Sequence, residues 1–194
     1  MSNTVLSKTY TPMPYNRKEI RRYAGVSEKL TEIETLIDEC IKEISDKLTY
    51  KVCYTDFDIV KSDSAIDLGF IKTESKDLAK NLDGCKTVLV FAATIGIEID
   101  RLIAKYGHIS PSKALIFQAI GAERIEALCD VFTDDILSEE DIKPRFSAGY
   151  GDFPLEAQKD IFAVLDPARR IGLSLNESLL MSPSKSVTAI IGIK

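Results

Sequence analysis

Between residues 28 and 48 the apolar side chains fall at Leu30, Ile33, Ile37, Ile41, Ile44 and Leu48, at intervals of three and four. That spacing puts them on one stripe and predicts a long packing helix, with Ser27 placed as its cap. Ahead of it, after a proline-containing lead, residues 16–24 read as a short helix stopped by Gly25. The pattern then changes period. Residues 50–60 and 65–72 cluster β-branched and aromatic side chains around an Asp/Ser break and predict two strands. Residues 75–82 form a capped helix ending at Gly84, and residues 87–93 are a β-branched run of buried-strand character.

Thr94-Ile95-Gly96 reads as a strand-to-helix turn leading into a helix over 98–105, its glycine most simply explained by tight packing of helix on strand. Ser110-Pro111 opens the longest helix after the first, running to Leu137. Beyond Pro144 come a helix over 155–165 begun by Pro154, an extended piece at 171–175 and a terminal strand at 186–193. Strands and helices are interleaved without a clean βαβ rhythm. The expected class is therefore α+β, with a mainly antiparallel or mixed sheet, packed helices and an amino-terminal helical segment over 16–48.

One helix face holds a polar surprise. Ala119, Ala122, Glu126 and Cys129 are spaced three, four and three, so Glu126 projects from a face otherwise made of small side chains. Burying a carboxylate there is costly unless a cation or donor meets it. Glu126 either pairs with a neighbouring lysine or arginine or meets a cationic ligand. Gly121 costs roughly 1 kcal/mol in a helix interior relative to alanine, which points to close approach by another element.

The 194 residues suffice for one domain with a sizeable core, and 45% hydrophobic with 28% charged residues is ordinary globular composition. The net charge of −5, with acids scattered among the bases, gives no footprint for nucleic acid or anionic membrane. No apolar leader or membrane-length run is present, so the expected location is the cytoplasm. Cys40, Cys53, Cys85 and Cys129 lack metal-ligand spacing and are expected as buried thiols. His108 sits at a predicted helix end, where capping is the simpler role.

Candidate chemistry lies in Arg145-Phe146-Ser147-Ala148-Gly149-Tyr150-Gly151-Asp152 and in Met181-Ser182-Pro183-Ser184-Lys185-Ser186-Val187. A guanidinium forks a carboxylate, a glycine lets backbone approach a base, and a phenol closes over the top, a set suited to a zwitterionic nucleoside. By itself the first segment equally describes a strand ending in a glycine turn with a surface arginine. Both segments, with Ala93-Thr94-Ile95-Gly96, Ala119-Ile120-Gly121-Ala122, Glu126-Ala127 and Ile171-Gly172-Leu173-Ser174-Leu175, resemble the reactivation domain of cobalamin-dependent methionine synthase. The likeness covers residues 87–194, and the long amino-terminal helix is similar to that of stand-alone members of the family.

The resemblance implies an S-adenosylmethionine site formed by Glu126, Arg145 and Tyr150, with Gly149 and the backbone of Phe146, Ser147 and Ala148. It also implies that cobalamin arrives on a partner, a cobalamin-loaded methionine synthase, because the chain has no Asp-x-His-x-x-Gly signature. The chemistry the resemblance implies is reductive rescue: an electron expected from flavodoxin or another reductase takes inert cob(II)alamin to cob(I)alamin, and methyl transfer from S-adenosylmethionine pulls that uphill step forward. No catalytic residue is required of this chain, an accessory of a methyltransferase that contributes positioning. The family's tail tyrosine and early acidic ligand have no assigned counterpart here. Three other classes compete. A free-standing methyltransferase lacks the Rossmann glycine loop; an ATP-driven corrinoid activator lacks both a P-loop and cluster-spaced cysteines; and an interaction module without ligand retains the fold alone.

Overall fold

A computed structural model describes residues 4–26, 30–62 and 64–194. The lead contributes an edge strand, β1 (Leu6–Tyr10), followed by α1 (Arg17–Tyr23), whose N-cap Asn16 accepts a hydrogen bond from the Glu19 N–H, and α2 (Thr31–Ile44). The long strand β2 (Tyr50–Asp58) leads into a small three-stranded sheet of β3 (Val60–Lys61), β4 (Ile66–Asp67) and β5 (Lys72–Thr73). Then come α3 (Lys76–Asn81), β6 (Thr87–Thr94), α4 (Glu98–Tyr106) and α5 (Pro111–Leu137). A single 3-10 turn (Leu155–Ala157) opens α6 (Gln158–Leu165), and α7 (Pro167–Ile171), β7 (Ser174–Leu175), β8 (Met181–Ser182) and β9 (Ser186–Ile193) complete the chain. The class is α+β as expected. The main sheet, in the order β1-β2-β6-β9, is antiparallel throughout.

That sheet is covered on both faces. Along β6, Leu89, Phe91 and Ala93 point into a core shared with α1, α2, α4 and α5, while Val88, Val90 and Ala92 point into a second core built with α3, α6 and α7. Period-two alternation explains why β6 reads as one continuous apolar run. β6 pairs residue for residue with β9, from Thr87 opposite Ile193 to Thr94 opposite Ser186.

Several expectations shift. The Ser27 cap lies outside the described residues, and α2 ends at Ile44, where Ser45 turns its hydroxyl back onto the Ile41 carbonyl at 2.6 Å. The strand expected over 65–72 is interrupted by Gly69, at φ +79° with its N–H bonded to Asp67 Oδ1, leaving only β4 and the start of β5 extended. In 171–175 the first residue ends α7 and only Ser174–Leu175 is strand, because Gly172 takes a left-handed C-cap. All four cysteines are buried, and burial pushes the Cys53 and Cys129 thiols up to about 12. His108 lies exposed in the turn after α4, where the Gly107 N–H provides the cap to Ile103. Among the described residues no helix is long and apolar enough to cross a membrane.

Candidate functional site

The first motif runs along the free edge of β9. Ile142 bridges to Ile193, and Phe146 exchanges two backbone hydrogen bonds with Ile190, at 2.9 and 2.8 Å, so residues 142–146 form a partial fifth strand. Alternation along this segment sends Arg145 toward α5 and Phe146 toward the second core. Arg145 Nη2 donates to Glu126 Oε2 at 3.0 Å, and Nη1 donates to Asp130 Oδ1 at 2.8 Å. Glu126 thus finds an arginine partner, as the simpler reading of its helix face has it. Asp130, one turn further on, is an additional acid that the small-residue pattern did not single out.

After Phe146 the chain folds into a tight loop. Gly149, at φ +87°, donates its N–H to the Phe153 carbonyl at 2.9 Å, and Phe153 returns a bond to Tyr150 O at 2.9 Å. This leaves Tyr150 69% exposed at the rim. The loop is fixed from outside by α3. The Asp152 carboxylate accepts bonds from the Ser75 hydroxyl and from the N–H groups of Lys76 and Asp77, and Asp77 Oδ2 in turn accepts from the Asp152 N–H. Those donors, the Ser75 hydroxyl first, hold Asp152 below the usual carboxylate range. At the other end of α3, Asn81 Nδ2 bonds the Pro144 carbonyl at 3.2 Å. A six-residue helix therefore grips both ends of the motif.

The second motif is tied to the opposite side. Ser184 donates its N–H to Asp100 on α4 at 2.9 Å and its hydroxyl to the same carboxylate, while the Lys185 carbonyl accepts from Ile95 N–H. The Lys185 side chain lies over Gly121 of α5, where an added Cβ would meet its Cγ and Cε at 2.9 Å. This is the close approach that the glycine requires. Gly96 is likewise a packing glycine, at φ +85° against Thr49.

The two motifs meet in an open groove of about 430 Å³, walled by residues 147–150 on one side and by Met181 and residues 186–188 on the other. Leu155 and Gln158 also line it. The Oε1 atom of Gln158 is buried and has no hydrogen-bond partner. Arg145 does not enter this groove; it lines an adjoining hollow with Asp130, Thr133 and Lys143. Of the expected site residues, Ser147, Ala148, Gly149 and Tyr150 share the groove, Arg145 and Glu126 pair beside it, and Phe146 packs under the loop at 6.3 Å from Phe153.

The crystal structure of the MetH reactivation domain bound to AdoHcy superposes on 97% of this chain, and on 78% of that one, with a TM-score of 0.66 at 15% sequence identity. The fold is that of the reactivation domain. No family model matches the sequence, and no curated protein matches it. The shared fold fixes where β9, α5 and the edge segment lie. The side chains decorating this version of it, Gln158 and Asp130 among them, are read from this chain alone.

Gln158 was missed by pattern reading, though its signal was available. With Ile161 and Leu165 it forms the buried stripe of α6, and an amide on such a stripe is anomalous unless something bonds it. The α3 grip left no such trace, since Ser75 and Asp152 are 77 residues apart.

Proposed function

We propose that this protein binds S-adenosylmethionine in the groove between the two motifs and supports reductive methylation of cob(II)alamin in a separately encoded, cobalamin-dependent methionine synthase. The observation that carries the reading is the meeting of both sequence motifs in one groove on a reactivation-domain fold. The residues present fit such a ligand. Residues 147–149 offer backbone at a flat, largely apolar wall, Tyr150 stands at the rim, and a guanidinium with two carboxylates lies beside it to receive an amino-acid zwitterion.

When bound, S-adenosylmethionine supplies an electrophilic methyl group, and the corrinoid belongs to the partner. The chain's own work is to hold and aim the ligand. Arg145 exchanges Glu126 and Asp130 for the ligand carboxylate, and the released acids face the ligand ammonium. The α3 grip on residues 144–152 keeps the loop from spreading, so that orientation is set before the partner docks. The partner surface is modest and partly polar, as a corrinoid module that visits other sites during turnover demands.

Calorimetric titration with S-adenosylmethionine and AdoHcy tests the binding step. Arg145→Ala is expected to weaken it by about 1.5–3 kcal/mol, the loss of a charge-assisted hydrogen bond. Wild-type protein that binds neither ligand, alone or beside a cobalamin-loaded partner, sinks the proposal. The reactivation step is read from the visible spectrum of cob(II)alamin enzyme mixed with a low-potential reductant and S-adenosylmethionine. Recovery that is as fast without this protein refutes that step.

A further inference from the structure

Resting on the reading of the groove as the ligand site, we infer that Asp152 is a positioning residue for it, holding Tyr150 where a bound ligand can meet its ring. Tyr150 is weakly held by its own contacts. It is 69% exposed, and its ring meets that of Phe146 edge-on, with 6.0 Å between centres. The residues on either side, Gly149 at φ +87° and Gly151 at φ +53°, lie in the left-handed region that glycine adopts freely. Tyr150 also borders two hollows: the groove itself and, on the side of α3, a hollow of about 460 Å³ lined by Lys80, Asn81, Lys143, Pro144 and Phe146. A ring between two open spaces stands where its backbone points it, and that backbone is what Asp152 fixes.

The tie is made by groups outside the loop. The first N–H groups of a helix have no partner within it, and the Asp152 carboxylate accepts from two of them, Lys76 at 2.8 Å and Asp77 at 3.1 Å, together with the Ser75 hydroxyl. Asp77 answers from the helix, its Oδ2 accepting the Asp152 N–H at 3.2 Å. Gly151 passes so close to the Asp77 carboxylate that an added Cβ would collide with it. The helix is anchored in turn, since Leu78 within α3 and Leu82 just after it are fully buried in the second core. Asp152 therefore relays the rigidity of a packed core to an exposed ring. A binding side chain held in advance loses less freedom when the ligand arrives, and the difference appears as affinity.

The test is a double-mutant cycle of Asp152→Ala and Tyr150→Ala, read by calorimetric titration with AdoHcy and S-adenosylmethionine. Asp152→Ala alone is expected to weaken binding by about three- to tenfold, the effect of one side chain that has to be ordered on binding. In the Tyr150→Ala protein the same change is expected to weaken it by less than about twofold, because the ring that Asp152 positions is gone. Urea unfolding separates this from a purely structural role. The stability lost with the Asp152 bonds should be the same with or without the Tyr150 ring, whereas the affinity loss should depend on it. Affinity losses of similar size in both backgrounds, or an Asp152→Ala or Tyr150→Ala protein that binds as wild type does, overturn the assignment and leave the proposed function standing. Wild type that binds neither ligand overturns both.

Discussion

The two faces of the central sheet handle buried polar atoms in opposite ways. On the helical face, Arg124 is 0% exposed, yet every arm of its guanidinium is used. Nε donates to Glu123 Oε2 at 2.6 Å, Nη1 to the Met13 carbonyl at 2.6 Å and Nη2 to the Pro14 carbonyl at 2.8 Å, with the Tyr15 ring 4.2 Å from its carbon. Glu123 Oε1 receives the Asn16 N–H at 3.0 Å, so the ion pair fastens residues 13–16 onto α5. On the other face, Gln158 Oε1 is buried without a hydrogen-bond partner, in a residue that lines the groove. Tyr50 also has an unbonded buried hydroxyl, but it lies inside the first core, against the Arg124 charge. A satisfied network buried deep in a core is architecture, whereas an unpaired buried acceptor is a cost that the surrounding packing has to offset.

The comparison breaks most visibly in the aromatic cores. Phe132 packs against Phe91 and Tyr54 at 4.9 and 5.1 Å on the helical face, and Phe153 is buried at the loop of residues 147–152 on the other. Truncating either to alanine is expected to cost about 3–5 kcal/mol in denaturant unfolding. Only Phe153→Ala should also cost AdoHcy affinity in the fraction that stays folded, since the Gly149 and Phe153 backbones hold one another. If Phe132→Ala lowers affinity as much, the separation of a structural face from a binding face is wrong.

This division also explains which parts could be read from sequence. The helical face is built from long elements whose apolar stripes announce themselves, and α5 ends at the residues its pattern predicts. β6 and β9 were equally plain because each is buried on both sides. β1 was not legible: four of its five residues are exposed, and it is a strand only because β2 offers an edge. The partial strand at 142–146 has the same origin, as does the α3 grip, for these rest on contacts between distant residues. The motifs themselves were visible as residue types. That Arg145 turns to α5 while its neighbours line the groove depends on the pairing of Phe146 with Ile190, which no spacing encodes.

A smaller effect sharpens the boundary between the faces, where Arg145 crosses from one to the other. Glu126 is 47% exposed in its pair with Arg145, so Glu126→Gln is expected to change stability by no more than about 1 kcal/mol, in keeping with a surface ion pair. On the proposed function, affinity for AdoHcy should fall, because the carboxylate assigned to the ligand ammonium is gone. A variant with lower Tm and intact affinity returns Glu126 to the purely structural side.

The smallest expected effect lies at Lys185, the residue that joins the second motif to the helical face. Its stem rests in the notch over Gly121, and its amine is held below the usual lysine value by desolvation, with Asp100 acting against that shift. A base whose folded value is depressed holds fewer protons than the unfolded chain between that value and the ordinary 10.5, so stability should rise with pH across that window. Below it the folded protein carries a charge that its surroundings disfavour. Lys185→Met keeps an unbranched apolar stem in the notch and removes that charge. It is expected to raise stability at neutral pH by less than about 1 kcal/mol. The difference should shrink as pH approaches 10.5, since wild type is relieved of the same cost by losing its proton. Urea unfolding of both proteins at several pH values between neutrality and 10.5 measures it. A Lys185→Met protein that is less stable at neutral pH shows that the ammonium has a favourable partner in the folded state, and Lys185 then belongs with the satisfied polar groups of the helical face.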